Sequence, residues 1–183
     1  INNNTTSYDY DGFGRIKNIY YPDGTNEHFT YAMNNLLGID IADIKYSIMK
    51  RRNNTIVSIA YFDALLNEIL TKNINSFVRK KYDIKGRLIA VSYPFIASKS
   101  PTNWHTYTYN AMDLLQREVS PLVNYQYNYQ YFTSNNTIKT SINDKLRETI
   151  STKTVLANGL VDKIEIDVNG DNYNVTSFSY SAE

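Results

Sequence analysis

The sequence predicts an all-β protein: an antiparallel meander of hairpins, each turned on the same short corner. Three observations carry that prediction. The first is an internal repeat. Tyr82-Asp83-Ile84-Lys85-Gly86-Arg87-Leu88-Ile89-Ala90-Val91-Ser92-Tyr93-Pro94 aligns with Tyr10-Asp11-Gly12-Phe13-Gly14-Arg15-Ile16-Lys17-Asn18-Ile19-Tyr20-Tyr21-Pro22, with Tyr, Asp, Gly, Arg, Tyr and Pro in matching places; recurrence of this kind outranks the propensity of any single segment. The second is composition. There are 17 Tyr in 183 residues but only 7 Gly and 4 Pro, and Asn and Thr are abundant. Tyr and Thr favour a half-buried pleated surface and Asn favours turns. The third is strict alternation in Tyr125-Gln126-Tyr127-Asn128-Tyr129-Gln130-Tyr131, which puts four tyrosines on one face of a strand.

Taken in order, residues 1–9 are a polar lead into the first corner. In Asp-x-x-Gly, the Asp11 or Asp83 carboxylate accepts a backbone N–H and opens a type I turn. Gly14 or Gly86 then takes the left-handed conformation that closes it. Tyr10 and Tyr82 end the incoming strand, and Arg15 and Arg87 open the returning one. Pro22 and Pro94 close that strand because proline cannot donate to a ladder. Pro22-Asp23-Gly24 turns the chain into a strand over Thr25–Tyr31.

Degenerate copies follow at Tyr31-Ala32-Met33-Asn34-Asn35-Leu36-Leu37 and Tyr109-Asn110-Ala111-Met112-Asp113-Leu114-Leu115. Asn35 and Asp113 stand where glycine stood, and both residue types tolerate the left-handed region. Fainter copies lie at Phe62-Asp63-Ala64-Leu65-Leu66 and Ile142-Asn143-Asp144-Lys145-Leu146-Arg147. In the tail, Asn158-Gly159 and Asn169-Gly170 read as two-residue hairpin turns. The strand between them alternates Ile164, Ile166 and Val168 with Lys163, Glu165 and Asp167. Phe178–Ala182 reads as the start of another unit.

Three stretches compete as helices on spacing or propensity: Leu36–Met49, Ala60–Leu70 and Ala111–Val119. The repeat places a turn inside the second and third, so strands and turns are expected there.

Composition narrows the function. The formal net charge is +1 and there is no cysteine. A nucleic-acid or membrane-surface partner is not expected, and disulfides, thiolate metal sites and cysteine nucleophiles are excluded. No apolar run is long enough to span a bilayer. The two histidines, His28 and His105, are far apart in sequence, so no metal centre, cofactor or histidine-based triad is expected. Asp167-Val168-Asn169-Gly170-Asp171 resembles the opening of a calcium loop but lacks the acidic residue at the twelfth position, and reads as a hairpin. Asp11 and Asp83 are not a catalytic pair, because each occupies the same place in a repeated turn. Arg15 and Arg87 read as strand-face partners of a neighbouring repeat. No catalytic residue is expected. The candidates for ligand contact are aromatic: Trp104, in the polar loop 98–106, and Tyr125, Tyr127, Tyr129 and Tyr131, as a stacking platform or as an aromatic ladder over the core face.

Tyr-Asp-x-x-Gly-Arg, followed by an apolar residue, a strand and a Pro, resembles the YD repeat of Rhs-type proteins. That group includes cocoon-forming subunits of insecticidal toxin complexes, polymorphic Rhs toxins, wall-associated proteins and teneurins. The resemblance implies that residues 1–183 are one YD-repeat segment, a fragment of a larger spiralling β-shell that is secreted or displayed on a cell surface. Its partners would be neighbouring repeats of the same chain and an encapsulated toxin or effector polypeptide. The shell segment itself would be non-enzymatic. The alternative is a surface repeat module that binds a glycan or another protein. The self-cleaving aspartate site of the family lies in a Pro- and Gly-rich motif that has no match here, so the resemblance carries over no catalytic residue.

Overall fold

The structure is a computed structural model that describes residues 5–180, apart from 35, 38, 40, 42, 97–99, 135, 157 and 169–171. The described residues contain strands and turns and no helix. The chain divides into two compact units, Ile1–Thr102 and Asn103–Glu183.

The first unit holds β1 (Ser7–Tyr10), β2 (Ile16–Tyr20), β3 (Asn26–Ala32), β4 (Tyr46–Arg52), β5 (Thr55–Phe62), β6 (Glu68–Asn73), β7 (Phe77–Tyr82) and β8 (Leu88–Ser92). Each strand pairs antiparallel with the next. The second unit repeats the arrangement with β9 (Trp104–Tyr109), β10 (Leu115–Ser120), β11 (Val123–Phe132), β12 (Thr137–Asp144), β13 (Thr149–Val155), β14 (Val161–Val168) and β15 (Asn172–Ser177). The expected meander is therefore present in both units, and the strand–turn reading of 60–70 and 111–119 holds.

One five-residue corner recurs through both units. Its first residue donates its N–H to the carbonyl of the fifth, and the fourth donates to the carbonyl of the first. This pattern is present at 11–15, 21–25, 63–67, 83–87, 110–114 and 156–160. The fourth residue is left-handed each time: Gly14, Gly24, Leu66, Gly86, Asp113 and Gly159. The faint copy at Asp63 is thus a full corner. Asn158-Gly159 is not a two-residue turn. Leu156 donates to Leu160 and Gly159 to Leu156, so the dipeptide fills the third and fourth corner places. A two-residue turn left-handed at both residues is instead found at Asn53-Asn54, with φ of 45 and 71°, between the paired ends Arg52 and Thr55.

Other expectations shift by a residue or more. The faint copy at 142–147 turns on Asp144, whose Oδ1 accepts from the backbone of Leu146 and Arg147. Asn143 instead lies in β12, paired with Gln126 and Ile150. Trp104 opens β9 and is not in a loop. Pro22 sits inside the 21–25 corner and does not close β2, whereas after Pro94 the chain pairs once more, Phe95 exchanging both backbone hydrogen bonds with Phe77. The degenerate copy at 31–37 is not a tight corner, because β3 and β4 are joined by the long connection 33–45. Asn35 lies outside the described residues, as does the Asn169-Gly170 turn, although β14 and β15 pair on either side of it.

That long connection builds the core of the first unit. Ser47 and Tyr61 face each other across β4 and β5, as do Met49 and Ile59, and Leu70 of β6 lies beside Tyr61. Leu36, Ile39, Ile41 and Ile44 of the connection join the cluster of Met49, Ile59, Tyr61 and Leu70. The Ser47 hydroxyl donates to the carbonyl of Asn34. The Tyr61 hydroxyl donates to that of Leu36 at 2.8 Å, and burial pushes its phenol up to about 12. A two-layer core forms because a single sheet cannot bury a face without a cover. Every buried apolar residue among those described belongs to this unit.

Candidate functional site: corner, latch and tyrosine face

The signature residues converge on the corner. Asp11 Oδ1 accepts the backbone N–H of Phe13 at 2.9 Å and of Arg15 at 3.0 Å. Its Oδ2 takes Arg15 Nε at 2.8 Å and Nη2 at 2.7 Å. Asp83 does the same with Lys85 and Arg87, at 2.9 and 3.0 Å for the backbone and 2.7 and 2.6 Å for the guanidinium. Two guanidinium donors on one carboxylate oxygen, with the other oxygen held by the backbone, fix orientation as well as charge. The Arg15 guanidinium holds the Asp11 carboxyl below its ordinary value. For Asp83 burial is the largest influence and acts upward, yet the hydrogen bonds from Arg87 and Lys85 together outweigh it and the carboxyl is also lowered. Arg15 further lies over the ring of Tyr31, 4.2 Å from its centroid, a cation–π contact.

Tyr82 of the signature has a further task, which sequence reasoning missed and which tyrosines elsewhere in the chain share. Tyr82 donates its hydroxyl to the carbonyl of Glu68 at 3.1 Å. Tyr31 donates to Ile16 and Tyr129 to Leu115, both at 2.8 Å, and Tyr180 donates to Val161 at 2.7 Å. In all four, the acceptor is the residue immediately after a five-residue corner: 11–15, 63–67, 110–114 or 156–160. The tyrosine comes from the strand that follows, or just beyond its end. Each latch therefore ties the opening of one strand to the close of its neighbour. Burial pushes the Tyr31, Tyr82 and Tyr129 phenols upward, which keeps them as donors. Of the four, only Tyr82 stands directly before a five-residue corner, and each partner lies 14 or more residues back, beyond the reach of a local pattern.

The aromatic candidates do not form one platform. Residue parity puts Trp104 on the face of β9 that carries Thr106 and Thr108, and Thr108 is in register with Arg117 and then Gln126. Tyr125, Tyr127 and Tyr129 occupy the opposite face and are half-buried, while Tyr131 is exposed. Their hydroxyls are engaged where they are enclosed: Tyr127 donates to Glu118 Oε2 at 2.7 Å and Tyr129 to Leu115. Tyr125 and Tyr127 meet edge to face at 6.5 Å. This is the ladder geometry. Burial and the Glu118 carboxylate push the Tyr127 phenol strongly upward.

The histidines stay apart. His28 Nδ1 lies 2.7 Å from Asn18 Oδ1. His105 stacks on Tyr107, and its Nε2 is 2.7 Å from Glu118 Oε1 without hydrogen-bond alignment. Among the described residues no group of three or more His, Cys, Asp or Glu could hold a metal ion, and no helix is long and apolar enough to cross a membrane.

A meander on repeated Asp- or Asn-capped corners, tied by tyrosine latches, is the architecture that the YD-repeat resemblance implies. The comparisons bear out that resemblance at the level of fold. The chain superposes on a chain of the TcdB2-TccC3-Cdc42 crystal structure with a TM-score of 0.66 over 94% of its length at 11% identity. It superposes on a chain of a TccC3 mutant form of the Photorhabdus luminescens Tc holotoxin pore with a TM-score of 0.65, also over 94%, at 10% identity. It spans 10% and 9% of those two chains. No protein-family model and no curated protein matches the chain.

Proposed function

We propose that this chain is a stretch of wall in a secreted or surface-displayed YD-repeat shell, which encloses a toxin or effector polypeptide and has no turnover of its own. One observation carries the reading. The Asp and Arg of the signature are spent on the corner: both oxygens of Asp11 and Asp83 are taken by neighbouring N–H groups and by the arginine four residues on. The fold likeness to Tc toxin chains supports the same reading.

The second unit supplies the lining. Gln126, Asn128 and Gln130 are exposed on one face of β11. Gln126 lies in register with Arg117 on one side, and the three lie in register with Asn143, Ser141 and Lys139 on the other; Ser141 and Lys139 continue into Thr152 and Thr154. Trp104, Val119, Phe132 and Ile150 are apolar residues on the same face, among polar neighbours. A mostly polar lumen holds an unfolded cargo without gripping its apolar segments. In the full-length protein, replacing Gln126, Asn128 and Gln130 with Leu is expected to leave assembly intact and to slow cargo release. Normal release from that variant would overturn the lining assignment. Loss of a measurable hydrolysis in Asp83→Asn, with the fold retained, would overturn the passive role.

A further inference from the structure

Successive hairpin connections in an antiparallel meander alternate between its two ends. In the first unit, one end therefore carries the 11–15 corner, the 33–45 connection and the 63–67 and 83–87 corners. The other end carries the turns at 21–25, 53–54 and 74–76. The two rims differ in chemistry. At the first, Phe13, Met33, Leu65 and Ile84 are 86, 84, 75 and 102% exposed, and Leu37 and Leu66 stand exposed beside them. At the second, the turns are built from Pro22, Asp23, Gly24, Asn53, Asn54, Asn75 and Ser76, and Ile74 is the exposed large apolar side chain among these turn residues.

Each five-residue corner on the apolar rim closes two backbone hydrogen bonds on itself, so a partner strand finds no open ladder at the corners. Asp11 and Asp83 are paired with Arg15 and Arg87 at 2.7 and 2.6 Å, so there is no field of one sign to draw a charged surface. The fitting partner is another uncharged row of apolar tips with the same spacing. Neighbouring strands lie about 4.8 Å apart, so tips two strands apart recur about every 10 Å, and four of them span about 30 Å. Even spacing makes such a row complementary to itself when it is turned round.

We propose that this rim is a self-association surface, and that two copies of the chain meet rim to rim across a two-fold axis. Phe13 of one copy faces Ile84 of the other, and Met33 faces Leu65. The contact is isologous, as closed two-fold interfaces are. Six apolar side chains make a patch on the order of 600 Å², at the top of what a monomer leaves uncovered. Counted on both copies, that is about 1,200 Å², the lower bound of a specific interface. The proposal is independent of the shell reading, since it uses only the order of the corners and their exposure.

The test uses the whole 183-residue chain and sedimentation velocity over a concentration series. The wild type is expected to dimerise. The Leu65→Asp, Ile84→Asp double variant is expected to dimerise at least about tenfold more weakly. Its circular dichroism should be unchanged, because both side chains point into solvent. Since the chain lacks cysteine, a mixture of Phe13→Cys and Ile84→Cys chains is expected to form a disulfide-linked dimer, and Ile84→Cys alone is not. A wild type that stays monomeric throughout would overturn the proposal. So would dimerisation lost in Tyr8→Pro, which blocks the β1 edge, but kept in the double variant. Flotation of the monomer with neutral phosphatidylcholine vesicles, abolished by the double variant, would also overturn it by assigning the rim to lipid.

Discussion

The corners at 83–87 and 110–114 share one backbone and differ in nearly every side chain that the repeat would call essential. In the first, Asp83 N–H donates to Arg87 and Gly86 N–H to Asp83, both at 3.0 Å; in the second, Asn110 donates to Leu114 at 2.9 Å and Asp113 to Asn110 at 3.1 Å. Asp83 Oδ1 caps Lys85 and Arg87 at 2.9 and 3.0 Å, and Asn110 Oδ1 caps Met112 and Leu114 at the same two distances. The second corner has no carboxylate on its cap, no arginine and no glycine. Both corners keep a left-handed fourth residue and one side-chain oxygen that accepts the N–H of the fifth; here that oxygen comes from the first residue, and in the 21–25 and 156–160 corners it comes from the third, Asp23 or Asn158. The ion pair and the glycine are added stabilisation.

The strongest way to break this comparison is Gly86→Val. Gly86 has φ +76° and a Cβ there would meet nothing closer than Asn67 Oδ1 at 4.0 Å. The cost is therefore conformational: a β-branched residue in the left-handed region loses about 1–2 kcal/mol. Urea unfolding should show that loss with the slope unchanged. An unaltered midpoint would mean that the corner does not need the left-handed residue.

Next comes the latch. Tyr82→Phe and Tyr129→Phe each remove one hydroxyl donor and leave the ring, and each is expected to destabilise by about 1 kcal/mol. Tyr131→Phe, whose hydroxyl meets only Asn136 on an exposed strand end, should change stability much less. Equal effects for all three would sink the latch.

Acid sharpens the contrast between a charged cap and a neutral one. The folded carboxyls of Asp11 and Asp83 lie below the ordinary 3.8. Their contribution is fully present above that value and is lost as the pH falls through it and through the lower folded value. In urea midpoints measured from neutral pH downward, Asp83→Asn should therefore remove part of the decline in the acid range. Asn110→Asp should add to it. Parallel curves for all three proteins would show that the charge contributes nothing.

The smallest effects run the other way. Leu66 and Asp113 take the left-handed place with φ of 63 and 62°. Replacing either with glycine relieves strain but loosens the unfolded chain. Thermal melts should show a gain of at most about 1 kcal/mol, larger for Leu66→Gly because leucine tolerates this region less well than aspartate. Destabilisation by both would mean that these side chains hold the corner in another way.

Whatever five neighbouring residues settle can be read locally. A cap oxygen on Asp11, Asp63, Asp83 or Asn110 and a left-handed residue three places on are local requirements, so the corners were legible and a strand–turn path prevailed over helical spacing at 60–70. Where one extra residue slips in, local reading fails: Asp144 turns the chain where Asn143 was aligned, and Asn158-Gly159 serves a longer corner than the dipeptide implies. Tertiary structure alone decided what depends on distant partners. Tyr82 finds the carbonyl of Glu68 only once β6 and β7 are paired. The 33–45 connection becomes a core lid only because Met49, Ile59 and Leu70 present one apolar face to it. Trp104 and the tyrosines of β11 fall on opposite faces because register, which a single residue inverts, is fixed across three strands and not within any one of them.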